Sequence, residues 1–262
     1  MSMTGKSVLI TGGGTGIGEA CARRLGAENA HVIVMGRRAD LLERVAAAVG
    51  GVALVGDASQ ANDVGRAVQL ARAQYGGLDA VISSAGAFGM GRATETDDVA
   101  WQASLQANLT SAFVVARECL PALIERRGAM VLVSSIAGLA AGPDACSYTT
   151  TKHALIGLAR SLARDYGPYG VRVNTVCPGW VRTPMADDEM RVLMDKYGET
   201  LEQAYARVTV DVPLRRAASP DEIASVCRFL ISSQASIVSG AVLVADGGSS
   251  IVDVPTLAFT RD

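Results

Sequence analysis

What most constrains this chain is an alternation that runs from one end to the other. Short stretches rich in Val, Ile and Leu recur at 6–11 (KSVLIT), 30–35 (AHVIVM), 51–56 (GVALVG), 78–83 (LDAVIS), 129–134 (AMVLVS), 171–176 (VRVNTV) and 241–245 (AVLVA). Each is apolar throughout rather than at every second residue, as in a strand covered on both faces. Between them, helical patterning predicts helices over 17–28, 41–49, 62–75, 101–126, 147–166 and 221–232, the last opened by Ser219 and Pro220. Alternation of this length predicts an α/β fold, a doubly wound parallel sheet of about seven strands. No linker or repeat interrupts it, so one domain over residues 1–262 is expected.

One insertion departs from the alternation. Between Pro184 and Pro213 the sequence predicts two short amphipathic helices, a helical lid at about 184–213. Met190, Leu193, Met194 and Tyr197 mark the face of the first, and Leu201, Ala204, Tyr205 and Val208 that of the second. Thr200 and Gln203 fit a capping box.

Composition narrows the class. The chain is 49% hydrophobic with a net charge of −2, enough for a core and without the basic footprint of a nucleic-acid partner. Its first residues enter a strand without an apolar signal core, and no apolar run of bilayer length stands out, so a cytoplasmic protein without a membrane partner is expected. Five cysteines, odd in number and without a CxxC, read as reduced thiols rather than a disulfide framework or zinc site. With His31 and His153 as the whole histidine complement, neither a metal centre nor a histidine-based triad is expected.

Two constellations point to chemistry. TGGGTGIG (Thr11–Gly18) falls where the first strand hands over to the first helix. Gly12 permits a sharp turn, Gly16 lets a pyrophosphate approach the backbone, and Gly18 lets helix and sheet pack closely. The helix N-terminus then offers unpaired N–H groups to phosphate. The second constellation is CSYTTTKHALIGLA, in which Tyr148 and Lys152 stand one helical turn apart. A core tyrosine beside a snorkelling lysine is the plain reading. An acid/base pair is the other. Ionising an ordinary phenol at pH 7 costs about 4 kcal/mol, and a positive charge about 4 Å away at an effective dielectric of about 20 offsets roughly that much. Asn108, a poor helix former in mid-helix, fits either a simple surface asparagine or a kink there.

These motifs, with SSAG (83–86), NLT at Asn108, VSSIAG at Ser135, CPGWVRT (177–183) and GAVLVADGG (240–248), resemble in order and spacing the short-chain dehydrogenase/reductase family, in its single-domain branch. The resemblance runs from Lys6 to about Gly248. One departure is Ser83-Ser84-Ala85-Gly86, where the family usually has Asn-Asn-Ala-Gly. The resemblance implies a Rossmann fold and an NAD(P)-dependent oxidoreductase exchanging a hydride with a carbonyl or secondary alcohol. It implies Asn108, Ser135, Tyr148 and Lys152 as the catalytic set. Tyr148 would exchange the proton, Ser135 hold the substrate oxygen, and Asn108 keep a proton-relaying water near Lys152.

Cofactor contacts are implied for Gly12, Gly14, Thr15, Gly16, Ile17 and Gly18 in the glycine loop, and for Asp57 beside the adenine. Further contacts are implied for Ser84, Ala85 and Gly86, for Tyr148 and Lys152, and for Pro178, Gly179, Val181 and Thr183. Where an acid would bind the ribose of NAD, this chain has Gly36 followed by Arg37 and Arg38, whose donors suit a phosphate. NADP is therefore expected, with NAD the alternative that Thr15 and Asp40 keep open.

The family also implies a homotetramer, for which the apolar tail IVDVPTLAF (251–259) is a candidate contact. For the substrate, Met185, Met190, Met194 and Tyr205 read as an adaptable lid, and Phe88, Met90, Cys146 and Trp180 as walls. A 3-oxoacyl thioester reductase, a non-catalytic dinucleotide sensor and a lyase or epimerase are the other readings.

Overall fold

In the computed structural model, which describes residues 2–259, every predicted apolar stretch is a strand of one parallel sheet. These are β1 (Ser7–Thr11), β2 (His31–Gly36), β3 (Val52–Val55), β4 (Ala80–Ser83), β5 (Ala129–Val133), β6 (Arg172–Pro178) and β7 (Val242–Ala245), in the order β3-β2-β1-β4-β5-β6-β7. Met1 and residues 260–262 of the expected domain lie outside the described residues.

The register explains the continuous apolar runs. Val8 and Ile10 face one layer and Leu9 the other, and β1 pairs in register with Val32, Ile33 and Val34 of β2. One layer holds α1 (Gly16–Ala27), α2 (Ala39–Val49) and α9 (Pro220–Ile231). The other holds α3 (Ala61–Tyr75), α5 (Ser111–Arg126) and α6 (Cys146–Tyr166). Cover on both faces fails at the sheet edges, where Val55 of β3 and Val244 of β7 are exposed. An edge strand lacks a neighbour, so the helices on either side overhang it incompletely.

The predicted helix over 101–126 is three pieces. α4 (Asp98–Ser104), capped by Asp97 through Ala100 N, runs into a π-helical turn at Leu105–Thr110 and then into α5. The run Asp98–Arg126 is long and apolar enough to cross a membrane, which the sequence reading did not find. In its most apolar stretch 56% of the residues are buried inside the fold, so packing accounts for the apolarity.

The insertion forms α7 (Pro184–Tyr197) and α8 (Leu201–Val208), with the capping box of Thr200 and Gln203 present. Ala186, Met190, Ala204 and Tyr205 make a small separate core between these helices and Ala217. Met190 and Tyr205, expected over the substrate, are instead that core, because a helix pair standing off the sheet must bury its own apolar seam. Trp180 packs against the same core.

Candidate active site

The winding reverses between β1 and β4, and the C-terminal ends of these strands open a cleft of about 650 Å³. Its floor is the glycine loop. Gly12 and Gly16 take left-handed φ values of +67° and +55°, which glycine adopts without strain. A Cβ on Gly12 would lie 2.9 Å from Ser84 O, so loop and β4 end meet backbone to backbone. A Cβ on Gly18 would overlap Gly12 O, so α1 begins directly beneath the loop. The N-cap Thr15 makes no side-chain cap hydrogen bond, leaving first-turn N–H groups for an anion. This cradle fits the pyrophosphate of a dinucleotide.

Of the predicted residues, Gly12, Gly14, Thr15, Gly16 and Ile17 line the floor, and Arg37, Arg38 and Asp57 one end. Ser84, Ala85, Gly86, Asn108, Tyr148, Lys152 and Thr183 line the remainder. Asp57 Oδ1 accepts from Ser59 N and Ser59 Oγ, and Thr183 Oγ1 caps α7 by accepting from Ala186 N. Pro178 is buried at the end of β6, where Gly179 abuts Asp246. Val181 is in the core, its backbone bridging to Ala218. Pro178, Gly179 and Val181 are not among the residues that line the cleft.

Asn108 explains the π turn. Its Nδ2 donates to Ala87 O at 2.9 Å and Ser104 O at 3.1 Å, and its Oδ1 accepts from Ala87 N at 3.2 Å. The widened turn aims this amide at the segment after β4. A Cβ on Gly86 would come within 2.8 Å of Oδ1, so the two elements meet only with glycine there.

Tyr148 and Lys152 sit on the first two turns of α6. The adjacent serines divide the work beneath them. Ser134, buried, donates from Oγ to Lys152 O at 2.8 Å and so fixes the helix. Ser135 Oγ accepts from Ala137 N; Ser135 eases the Tyr148 phenol from close by but is not itself among the residues lining the cleft. Burial nevertheless pushes that phenol up to about 12, and the Glu189 charge adds to the rise. Lys152 is pushed down to about 8 by burial. Its Nζ donates to Val133 O at 3.2 Å and lies 5.4 Å from the centre of the Tyr148 ring. Desolvation is the largest influence on both groups in the chain alone; the expected lowering of the phenol draws on Lys152 together with an oxidised nicotinamide ring.

A stability test follows. Lys152 titrates at about 8 folded against 10.5 ordinarily. Between those values the unfolded chain holds more protons, so the folded state gains stability as pH rises; below about pH 8 the penalty is constant. Lys152→Met should stabilise the ligand-free protein by about 1–3 kcal/mol at pH 7, with the advantage fading toward pH 10.5. Urea unfolding measures it, and a variant less stable than wild type at pH 7 would contradict the burial penalty.

The sequence reading missed three contributors here: the Val133 carbonyl, Ser134 and Glu189. Backbone carbonyls leave no sequence signal. Glu189 had one, since it lies four residues after Met185, which lines the cleft. Phe88 does reach the site, its ring edge-on to Tyr148 with centroids 4.9 Å apart. Met90 is exposed and Cys146 half-buried.

A doubly wound sheet, a phosphate-ready glycine loop and the Tyr148–Lys152 pair in one cleft fit a dinucleotide-dependent oxidoreductase. A family model described as enoyl-(acyl carrier protein) reductase matches residues 12–250. A protein named MoaE from Klebsiella aerogenes is 55% identical over 254 residues, covering 96% of this chain and 98% of that one. The meso-2,3-butanediol dehydrogenase of Serratia marcescens is 32% identical, covering 97% of this chain and 98% of its own length. Among solved structures, L-sorbose reductase from Gluconobacter frateurii, complexed with NADPH and L-sorbose, superposes with a TM-score of 0.89 at 28% identity, covering 95% of this chain and 98% of that one. The chain belongs to the short-chain dehydrogenase/reductase family. It is an NAD(P)-dependent oxidoreductase acting between CH–OH and C=O groups.

Proposed function

We propose that the enzyme interconverts a small carbonyl compound and its alcohol, with NADP(H) preferred and with Ser135, Tyr148, Lys152 and Asn108 as its working residues. The observation that carries this reading is the Tyr148–Lys152 pair lining one cleft with the glycine loop, Lys152 Nζ standing 5.4 Å from the centre of the Tyr148 ring. A bound nicotinamide supplies or takes the hydride. Tyr148 gives its proton to the substrate oxygen as negative charge grows there, and takes one back in the reverse direction. Ser135 donates to the same oxygen and holds it in line. Lys152 Nζ holds a proton below about pH 8, placing positive charge under the phenol when the site closes. Asn108 fixes Ala87 and, through it, the wall beside Gly86. A non-catalytic sensor would have no use for this assembly.

The test is the absorbance of reduced nicotinamide against a panel of ketones, aldehydes and alcohols. Activity with none of them would sink the reading.

For residues 184–213 we read a lid. Met185, at the start of α7, is exposed on the cleft, and Thr183 lies against Gly16 of the loop. Coenzyme and substrate together should slow hydrogen exchange in α7 and α8. Exchange already slow in the free protein and indifferent to ligand would make the segment scaffold.

The protein is further read as a cytoplasmic homotetramer. Ile251, Val254 and Phe259 in the tail are 82%, 71% and 90% exposed, an apolar patch that a subunit contact would cover. Light scattering at micromolar concentration should give four times the chain mass; a monomer would refute the assembly.

A further inference from the structure

The stretch that leaves β6 alternates its side chains as a strand does. Trp180 packs against the small core of α7 and α8, and Arg182 lies over Tyr205 of the same core. Val181 belongs to the main core, and Thr183 lines the cleft. Successive side chains of an extended chain point to opposite sides, and Thr183 is extended, with φ −139° and ψ 158°. The backbone here is anchored. Arg182 N donates to Ala218 O at 2.9 Å, and Ala218 N donates to Trp180 O at 2.8 Å. Arg182 and Thr183 are thus chain neighbours that face different parts of the protein.

Each makes a specific contact. Thr183 stands against the glycine loop, where a Cβ on Gly16 would lie 3.0 Å from its methyl group, and its Oγ1 accepts from Ala186 N at the start of α7. Arg182 forks onto the Glu202 carboxylate of α8 at 2.5 and 2.6 Å, and its guanidinium lies 4.5 Å from the centre of the Tyr205 ring. A planar fork between a carboxylate and an aromatic face has a defined geometry that lysine does not copy. Tyr205 passes the tie on, its hydroxyl donating to Asp187 of α7 at 2.7 Å. The ion pairs Asp188–Arg191 and Glu199–Arg207, by contrast, stay inside the lid. The Arg182 and Glu202 side chains are 43% and 72% exposed, so their pairing adds little to global stability. What it fixes is where the helix pair stands relative to Thr183.

We propose that Arg182 is a positioning residue that ties α8 to the stretch carrying Thr183, so that a coenzyme seated against Thr183 draws α7 and α8 over the substrate as one unit. This rests on reading the cleft as a coenzyme site and residues 184–213 as its lid.

The test compares wild type with Arg182→Met and Glu202→Gln, each saturated with whichever of NADPH and NADH it binds more tightly, by hydrogen exchange and steady-state kinetics. In wild type, coenzyme should slow exchange both in the glycine loop, residues 12–18, and in α8. In the two variants the glycine loop should still slow while α8 no longer responds. The KM of a ketone substrate should rise about fivefold or more, as for coupled sites, with kcat changed less. A merely structural tie would speed exchange in α8 with and without coenzyme alike and leave the coenzyme-induced slowing intact, which overturns the proposal. So does an α8 in wild type that ignores bound coenzyme. If wild type binds neither coenzyme, the coenzyme reading of the cleft falls, and this proposal falls with it.

Discussion

Tyr148→Phe lowers kcat by about 10²- to 10⁴-fold, the range typical of a positioned acid or base, while coenzyme affinity stays near that of wild type. The ring is retained, so its edge contact with Phe88 and its place over Lys152 persist. What disappears is the hydroxyl and its proton. Because burial holds the phenol up at about 12, the folded chain keeps it protonated at neutral pH, the form needed for carbonyl reduction. Oxidation of an alcohol needs the opposite form and should therefore rise with pH more steeply than reduction does. Lys152→Ala, by contrast, damages both turnover and coenzyme binding, since Nζ lies at the buried base of the same cleft. Initial rates and coenzyme titration by fluorescence measure the two effects separately. Near-normal turnover in Tyr148→Phe would remove Tyr148 from the chemistry.

The second large effect is on coenzyme choice: Gly36→Asp combined with Arg37→Leu reverses a preference for NADPH over NADH. Arg37 and Arg38 are exposed at the cleft end, and Arg38 is the N-cap residue of α2. Positive side chains beside a helix N-terminus oppose its dipole. Among the described residues the one side-chain polar contact of this pair is a 3.3 Å hydrogen bond from Arg38 to Thr15 Oγ1. Asp40, in the first turn of α2, is the nearby acid. A 2′-phosphate supplies the negative charge this corner lacks, through charge-assisted hydrogen bonds of about 1.5–3 kcal/mol each. Removing one such donor and adding a carboxylate should shift the ratio of catalytic efficiencies by about 10²-fold or more. The carboxylate has room, since a Cβ on Gly36 meets only Leu42, at 3.6 Å. A wild-type enzyme clearly preferring NADH would overturn the role given to Arg37.

The sequence by itself determined the alternation, the strand positions within a residue or two, the glycine loop and the Tyr148–Lys152 pair. These are local matters. A strand buried on both faces must be apolar throughout, a phosphate-binding turn must be built of glycine, and i,i+4 residues on a helix must meet. The tertiary structure decided the rest. Lys152 falls to about 8 and Tyr148 rises to about 12 because of what surrounds them, and desolvation is contributed by residues distant in the chain. Asn108 fits a kink or a surface position in the sequence, but its clamp on Ala87 exists only once the π turn meets the segment after β4. Met190 and Tyr205 carry the apolar pattern of a lid surface, yet the pairing of α7 with α8 turned them inward and left Met185 for the cleft. Which face of an amphipathic helix meets a substrate, and which meets its neighbour, depends on where the neighbour stands, and that is set by packing rather than by periodicity.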